Sequence, residues 1–553
     1  MTSKHTNLKQ AKDEKTSNLL FFKWLFESDN INLIFENETA PFRENSVIYY
    51  PEQLKDFFVS EPMQRLKKVL QLSKVIDINP NALHTRYEHS IGVYNLKKDI
   101  IMNLFLNDPQ FKAYVEEHNL KNNLIAELIK SAGHDIGHLP LSHVLELSVI
   151  KKVGFHEEIG KRILLENEQI RNCLLNISPD FLKILKDTLE NDYFGFKFLD
   201  EGNYDIDRFD YLYRDLAYLG TPLSESFAPL KIKIAECDSK VPKLDNSGRI
   251  ILASENSSNR MFIPVFSISS LPDIERFLNT RVELYKNCYS HPVDEILAQS
   301  VGITINKAIE NHEPNGIKVQ KFLIDLKNIS SANNVNLDEW LSWNDLTFYN
   351  ELLDIGEFTQ NPALRKIAII ALPGLEQLFD ISSKMLGLKN RTQPLSKNDK
   401  IFLKRLHRYL NEKTNFTQDL SDPNYLYKYT AYTSDPQKIN ILKSFPTLPI
   451  NFNSRKIKPY KSSEPIFIET ETGEIYTYDA IPGRPPKINL DNVSLDVAIC
   501  FTPLLESQHN ALIDLLDEKS SPTFGRHYFN RPSPAGTYIE NSYDMNNIDN
   551  LER

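Results

Sequence analysis

The sequence has little cysteine and no long apolar run, and each scarcity removes a class of protein. Its four cysteines, Cys173, Cys237, Cys288 and Cys500, stand far apart and form no CxxC pair. That excludes a disulfide framework and a cysteine-built zinc cage, so they read as buried thiols. No stretch reaches the roughly 18–20 uninterrupted apolar residues of a membrane-spanning helix, and the opening MTSKHTNLKQAKDEKTSN lacks the apolar centre of a secretory signal. A cytoplasmic location without a membrane partner is the expectation. Basic charge is also short, with 64 Lys and Arg against 74 Asp and Glu and a net charge of −10. This balance argues against nucleic acid as main partner, yet it permits a local basic pocket for a small polyanion.

What the chain does have is length and helical periodicity. Its 553 residues, 41% hydrophobic, can bury a large core in one elaborate domain or several smaller ones. In IAELIKSAGHDIGHLPLSHVLELSVI apolar residues return every three or four positions, which predicts a mainly α centre between Pro51 and Gly220. Further helices are expected from about Ile274 to His312, over 335–356 and over 363–413. Two β-prone stretches interrupt them: 230–253 around Asp-Asn-Ser-Gly, and 465–478 around Thr472-Gly473, each with the grammar of a hairpin. No internal repeat is present. Residues 1 to about 17 read as a flexible lead, and the Asn-, Ser- and Asp-rich end from about Pro532 as a loose tail. The expected division is an N-terminal lead with first helices (1–50), a core (51–312), a helical extension (313–420), a C-terminal α+β region (421–531) and the tail (532–553).

Chemistry gathers in three words. His134-Asp135-Ile136-Gly137-His138 sits in a helical context, where an adjacent imidazole and carboxylate can meet one cation; alone it could equally be packing. Upstream lies His84-Thr85-Arg86-Tyr87-Glu88-His89-Ser90, and downstream Asp205-Ile206-Asp207-Arg208-Phe209-Asp210-Tyr211 followed by Arg214-Asp215. Together they offer mixed nitrogen and oxygen ligands suited to Mn²⁺, Fe²⁺, Zn²⁺ or Mg²⁺, interleaved with arginines able to hold phosphate oxygens. An ion-pair network could use the same residue types but would not require this order.

The order H…HD…D resembles the HD superfamily of metal-dependent phosphohydrolases. The flanking words are similar to the branch that contains bacterial dGTP triphosphohydrolases and the SAM- and HD-domain dNTP hydrolases. Met63-Gln64-Arg65-Leu66 with Gln71-Leu72 resembles that branch's QRLxxxxQL segment. The word at 84–90 resembles HTRxEHS, GHDIGHLPLSH resembles HDxGHxPxSH, and Phe155-His156-Glu157-Glu158 resembles a later HE word. The likeness runs from about Pro62 to His291, taking in Arg281, Tyr285, Tyr289 and His291. Departures exist: Ser73-Lys74-Val75-Ile76 replaces a Gly-rich stretch, Arg208 stands where Lys is common, Tyr285 where some relatives have His, and the stretch before Pro51 is too short for a SAM domain.

The resemblance implies a helical HD-domain core carrying small β-hairpins, with one divalent metal ion held by His89, His134, Asp135 and Asp207. A second Mg²⁺ accompanying the nucleotide is compatible with it. His138, His156 and Glu157 are then candidates for moving protons or orienting water, and His143 for the leaving side. A supporting role around the metal is an equal alternative for one or two of them. Arg86, Arg208 and Arg281 are candidates for phosphate oxygens. Gln71, Leu72, Tyr211, Asp215 and Tyr289 match deoxyribose-contacting positions, with Tyr289 placed to crowd a 2′-hydroxyl.

The implied reaction is hydrolysis of dNTPs, dGTP or several, to deoxynucleoside and tripolyphosphate. It would be regulated by an activating nucleotide in a homo-oligomer, as for bacterial relatives in nucleotide-pool control or antiviral defence. Two other readings stay open: an HD phosphodiesterase or nucleotidase acting on another nucleotide, and a nucleotide sensor without turnover.

Overall fold

Helices form where the apolar spacing predicts them, and the two that start at Arg86 and Ile206 are capped by Thr85 and Asp205. The computed structural model describes residues 15–27, 31–34, 48–77, 79–190, 202–219, 232–237, 242–252, 261–289, 317–358, 375–388, 394–411, 430–433, 450–457, 465–484 and 493–501, with a few single positions between them. The tail, His291, most of 290–316 and much of the expected C-terminal region from 421 to about 460 lie outside these residues. Among the described residues the architecture is mainly α with small sheets, as the sequence predicts. No helix of this set is long and apolar enough to cross a membrane.

The helices that build the centre are α1 (Arg86–Asn107), α2 (Lys121–Gly133), α3 (Phe155–Glu166), α4 (Phe181–Glu190), α5 (Ile206–Tyr218) and α6 (Leu271–Leu284). α2 packs against α1 and α4, and α5 lies along α1. The start of α1 is fixed by a capping box: the Glu88 amide donates to Thr85 Oγ1 while Glu88 Oε2 accepts from the Thr85 amide at 2.5 Å. α5 begins at Asp205, whose Oδ1 accepts from the Arg208 amide at 2.6 Å. A helix covers 15–26, and residues 1–14 of the expected lead lie outside the described residues.

The extension supplies α7 (Leu337–Leu341), α8 (Asp345–Phe358), α9 (Leu375–Met385) and α10 (Lys397–Asn411). The stretch 363–413 is therefore interrupted: after α9 the chain turns at Gly387, whose φ of 60° suits glycine. Trp340, Leu352, Leu378 and Leu406 share one buried cluster with Phe57, Leu128 and Ile159, so the extension packs directly on the centre.

The described strands are β1 (Ile31–Ile34), β2 (Ile48–Pro51), β3 (Ile232–Cys237), β4 (Met261–Ser267), β5 (Thr430–Thr433), β6 (Ile450–Ile457), β7 (Phe467–Glu469), β8 (Ile475–Thr477) and β9 (Val493–Phe501). The hairpin expected at 465–478 forms as β7 and β8. The one expected at 230–253 is corrected. β3 takes β4 as its antiparallel partner, with Ile232 opposite Phe266. The Asp245–Gly248 turn closes only a single bridge, Leu244 to Ile250, and docks on β8 through Arg249 and Tyr476. Ile251 and Leu252 remain half exposed, whereas Ile263, Val265 and Phe266 are buried, so the second partner is the one that hides apolar surface. β4 then pairs in parallel with β7, giving the order β3-β4-β7-β8.

The α1–α5 contact is close because Gly92 faces α5. A Cβ at this position would overlap Asp210 and Arg214, which are locked to each other and cannot yield. Gly92→Ala is expected to destabilise the fold by about 1–3 kcal/mol through overpacking, read as a lowered melting midpoint.

Candidate active site

Four residues from three helices converge on one point. His89 lies in the first turn of α1, His134 and Asp135 follow the last turn of α2, and Asp207 sits in the first turn of α5. His89 Nε2 is 3.0 Å from His134 Nε2 and 2.9 Å from Asp207 Oδ1; His134 Nε2 is 3.5 Å from both Asp207 Oδ1 and Asp135 Oδ1. Ligand atoms held at roughly 2.0–2.2 Å from one metal ion lie about 3 Å from one another, so this spacing suits a shared cation. The ring orientations suit it too. His89 Nδ1 meets Asp210 Oδ2 at 2.8 Å and His134 Nδ1 meets the Ser131 carbonyl at 2.8 Å, which turns both Nε2 atoms inward. Asp210 is itself held by Arg214, at 2.8 and 2.9 Å. His89, His134 and Asp207 could together hold a metal ion, with Asp135 beside them.

Charge favours the same conclusion. Burial would lower the His89 pKa, but hydrogen bonds to Asp207 and Asp210 overcome it and push the ring up to about 10. Burial opposes ionisation of Asp135 as well, yet Arg86 and His134 hold its carboxyl well below the usual range. Three carboxylates thus stabilise positive charge where the imidazoles meet, and a divalent ion fits that field.

A second group adjoins the first. His138 Nε2 donates to Asp135 Oδ1 at 3.2 Å, leaving its buried Nδ1 without a partner. Its ring stacks on His156, centroids 3.8 Å apart. Burial and the nearby Arg86 hold His138 well below the ordinary imidazole pKa, in the neutral form. Glu146 joins the remaining two histidines, reaching His143 Nδ1 at 3.0 Å and His156 Nδ1 at 3.0 Å. His143, His138 and His156 could also serve as metal ligands. Glu157 is placed differently: it is exposed on the first turn of α3, and the carboxylate that touches the histidines is Glu146.

The turn that delivers His143 is strained, since Leu141 and Ser142 both have positive φ, 54° and 49°, at a cost of order 1–3 kcal/mol each. Gly137 has no room to change, because a Cβ there would overlap the His156 carbonyl and the Gly160 amide.

Among the arginines, Arg86 is buried and occupied, donating to Asp135 and, at 2.8 Å, to Ser142 Oγ. It braces a ligand. Arg208 pairs with Asp205 at 2.9 Å. Arg281 is buried with Nε and Nη1 unpartnered; burial raises the acids of nearby Tyr211 and Asp205, and Arg281 offsets that rise in part. Gln71 Oε1 is likewise buried and unpartnered, and Leu72 packs half-buried in the same cluster as Tyr211 and Tyr289. Asp215, fully buried, accepts from the Tyr289 hydroxyl and contacts His84 Nε2 at 2.6 Å. Asp210, Arg214 and Glu146 were not singled out from sequence. The spacing of Asp207, Asp210 and Arg214 places them on one face of α5, a signal that could have revealed two of them.

No family model matches the chain. Among characterised and uncharacterised sequences, an uncharacterised protein of Mycoplasma pneumoniae is 32% identical over 242 residues, 42% of this chain and 50% of that protein. A putative HD domain-containing protein of Acanthamoeba polyphaga mimivirus is 30% identical over 254 residues, covering 42% and 50%. The deoxynucleoside triphosphate triphosphohydrolase SAMHD1 homolog of Dictyostelium discoideum is 30% identical over 181 residues, 31% of this chain and 34% of its own length. The chain thus spans about half or less of these curated relatives. A crystal structure of a phosphohydrolase from Bacteroides thetaiotaomicron shares the fold, with a TM-score of 0.55 and 19% identity over 86% of this chain and 100% of that one. These relatives and the site's geometry support the HD phosphohydrolase superfamily as the class.

If the four residues are ligands, Asp207→Asn will abolish stoichiometric Mn²⁺ binding. Asp210→Asn, which leaves every ligand in place but loosens the His89 ring, will weaken it about 10–100-fold. Metal analysis and competition titration of the folded variants check both.

Proposed function

We propose that this protein is a metal-dependent hydrolase of deoxynucleoside triphosphates, releasing deoxynucleoside and tripolyphosphate. The observation that carries the reading is the buried Arg281 guanidinium, whose Nε and Nη1 have no hydrogen-bond partner, beside the candidate ligands His89, His134, Asp135 and Asp207. Buried N–H donors left unsatisfied are costly, and a polyphosphate would relieve them with charge-assisted, bidentate bonds. The relatives named as dNTP triphosphohydrolases support the choice of substrate class.

A divalent ion at the four ligands would neutralise charge on a phosphate oxygen as a Lewis acid. The chain's own residues do the rest. His138, neutral and with a free Nδ1 lone pair, takes the proton of the attacking water. A bond forms from the water oxygen to the α-phosphorus, and the bond from that phosphorus to O5′ breaks. His143, oriented through Nδ1 by Glu146 and 59% exposed, returns a proton to O5′ of the departing deoxynucleoside. Arg281 and Arg208 hold phosphate oxygens, while Asp215 and Gln71 meet the 3′-hydroxyl. Tyr289, fixed by its bond to Asp215, leaves a 2′-hydroxyl no partner, which disfavours ribonucleotides. An activating nucleotide and a homo-oligomer belong to the same proposal.

Anion-exchange analysis with Mn²⁺ and each dNTP, singly and mixed, is the direct assay, with Asp135→Ala as control. Tripolyphosphate and deoxynucleoside that vanish in the control support the proposal, and turnover confined to mixtures identifies an activator. Release of orthophosphate or a nucleoside monophosphate instead points to a nucleotidase or phosphodiesterase, and saturable binding without product to a sensor. Arg281→Ala is expected to cut kcat/KM by about 10–150-fold, the equivalent of one or more charge-assisted bonds, with Lys a poor substitute.

A further inference from the structure

The helical extension contributes a stretch, Ala332–Asp345, that no motif marks and that touches the backbone of the site at several places. Trp340, buried, donates from Nε1 to the Gly137 carbonyl at 3.0 Å. Arg65 bridges the two regions, donating through Nη1 to the Trp343 carbonyl at 3.2 Å and through Nη2 to the His138 carbonyl at 2.5 Å. Arg162, on the helix that carries His156, donates to the carbonyls of Ala332 and Val335 at 2.6 and 2.9 Å. Asp345 is fully buried and spends both oxygens on backbone amides: Oδ2 accepts from Leu70 and Oδ1 from Leu141, each at 2.6 Å. Leu70 immediately precedes Gln71. Leu141 is the first of the two positive-φ residues that lead into His143.

We propose that Asp345 is a positioning residue, and Ala332–Asp345 a clamp, that fixes the histidine turn relative to the Gln71 segment and so aims His143. The geometry is specific to a carboxylate. Two amide donors converge on one side chain, and an asparagine would satisfy one of them while presenting its own NH₂ to the other. Arg86 reinforces the same span by donating to Ser142 Oγ, which in turn donates to the Leu70 carbonyl at 3.2 Å. With Asp345 removed, the 141–142 turn loses its acceptor and is free to relax toward ordinary backbone angles, carrying His143 away from the reacting oxygen.

The kinetic half of this inference rests on the phosphohydrolase reading above; the structural half does not. The test uses the full chain loaded with Mn²⁺. Asp345→Asn should lower kcat for dNTP cleavage about 100-fold, the scale of an ångström of misplacement, with KM changed less than about threefold and bound metal unaltered. Amide hydrogen exchange should accelerate in the peptide containing Leu141 and Ser142 but not in the helix after His89. Exchange equal to wild type at both Leu70 and Leu141, or a loss of rate that tracks metal loss, overturns the clamp. If wild type cleaves no dNTP yet the exchange difference appears, the substrate reading fails and the clamp stands. Should Asp345→Asn not fold, Trp340→Phe serves as the second variant. It keeps a ring against Phe155 but removes the donor to Gly137, and unchanged exchange and kcat there would equally refute the proposal.

Discussion

Everything at the centre of this molecule answers to one electrostatic constraint: Asp135, Asp207 and Asp210 crowd around two imidazoles that face each other nitrogen to nitrogen. Carboxylates placed so close together in a largely buried region need compensating positive charge. Arg86 offsets Asp135 and Arg214 offsets Asp210, and the point where His89 and His134 meet is left as the place where a further cation is favoured. The helix starts follow from this need. Thr85 and Asp205 cap α1 and α5 so that His89 and Asp207 emerge in the first turn of each, while α2 ends just where His134 and Asp135 must turn inward.

The words that carry the candidate ligands were legible because each couples local structure with chemistry. In Thr85-Arg86-Tyr87-Glu88 the threonine and glutamate are a capping box, and the histidine that follows is thereby placed. The mainly α character followed from periodicity alone. Less legible were contacts made at long range in sequence. Asp345 meets Leu70 and Leu141 from 275 and 204 residues away, with no flanking pattern to announce it. Glu146 lies inside the histidine-rich stretch, but it reads as an ordinary helical residue until the fold brings His156 back against it. The partner of β3 was misread for a similar reason. Asp-Asn-Ser-Gly is a true turn signal, but a turn does not decide which later strand buries its apolar face.

The arginines separate by what they have left to give. Arg86 sits in the most recognisable motif, and its Nε and Nη1 are engaged by Ser142 and Asp135, so it sets the geometry and acidity of a candidate ligand. Arg281 lies in a weaker word, yet its buried Nε and Nη1 have no hydrogen-bond partner. Motif strength thus measures how tightly a residue is built into the scaffold, and it does not by itself measure availability for substrate.

The parallel pairing of β4 with β7 joins residues that emerge from the ribosome far apart in time. Phe266 meets Ile468, synthesised roughly two hundred residues later, an interval on the order of ten seconds or more at ordinary elongation rates. The ligand cluster and the segment around Asp345 exist well before then, while the β4 edge waits with unpaired backbone groups that could recruit another chain. Synthesis of this protein therefore carries a window of vulnerability to misassembly, which the arrival of β7 and β8 closes.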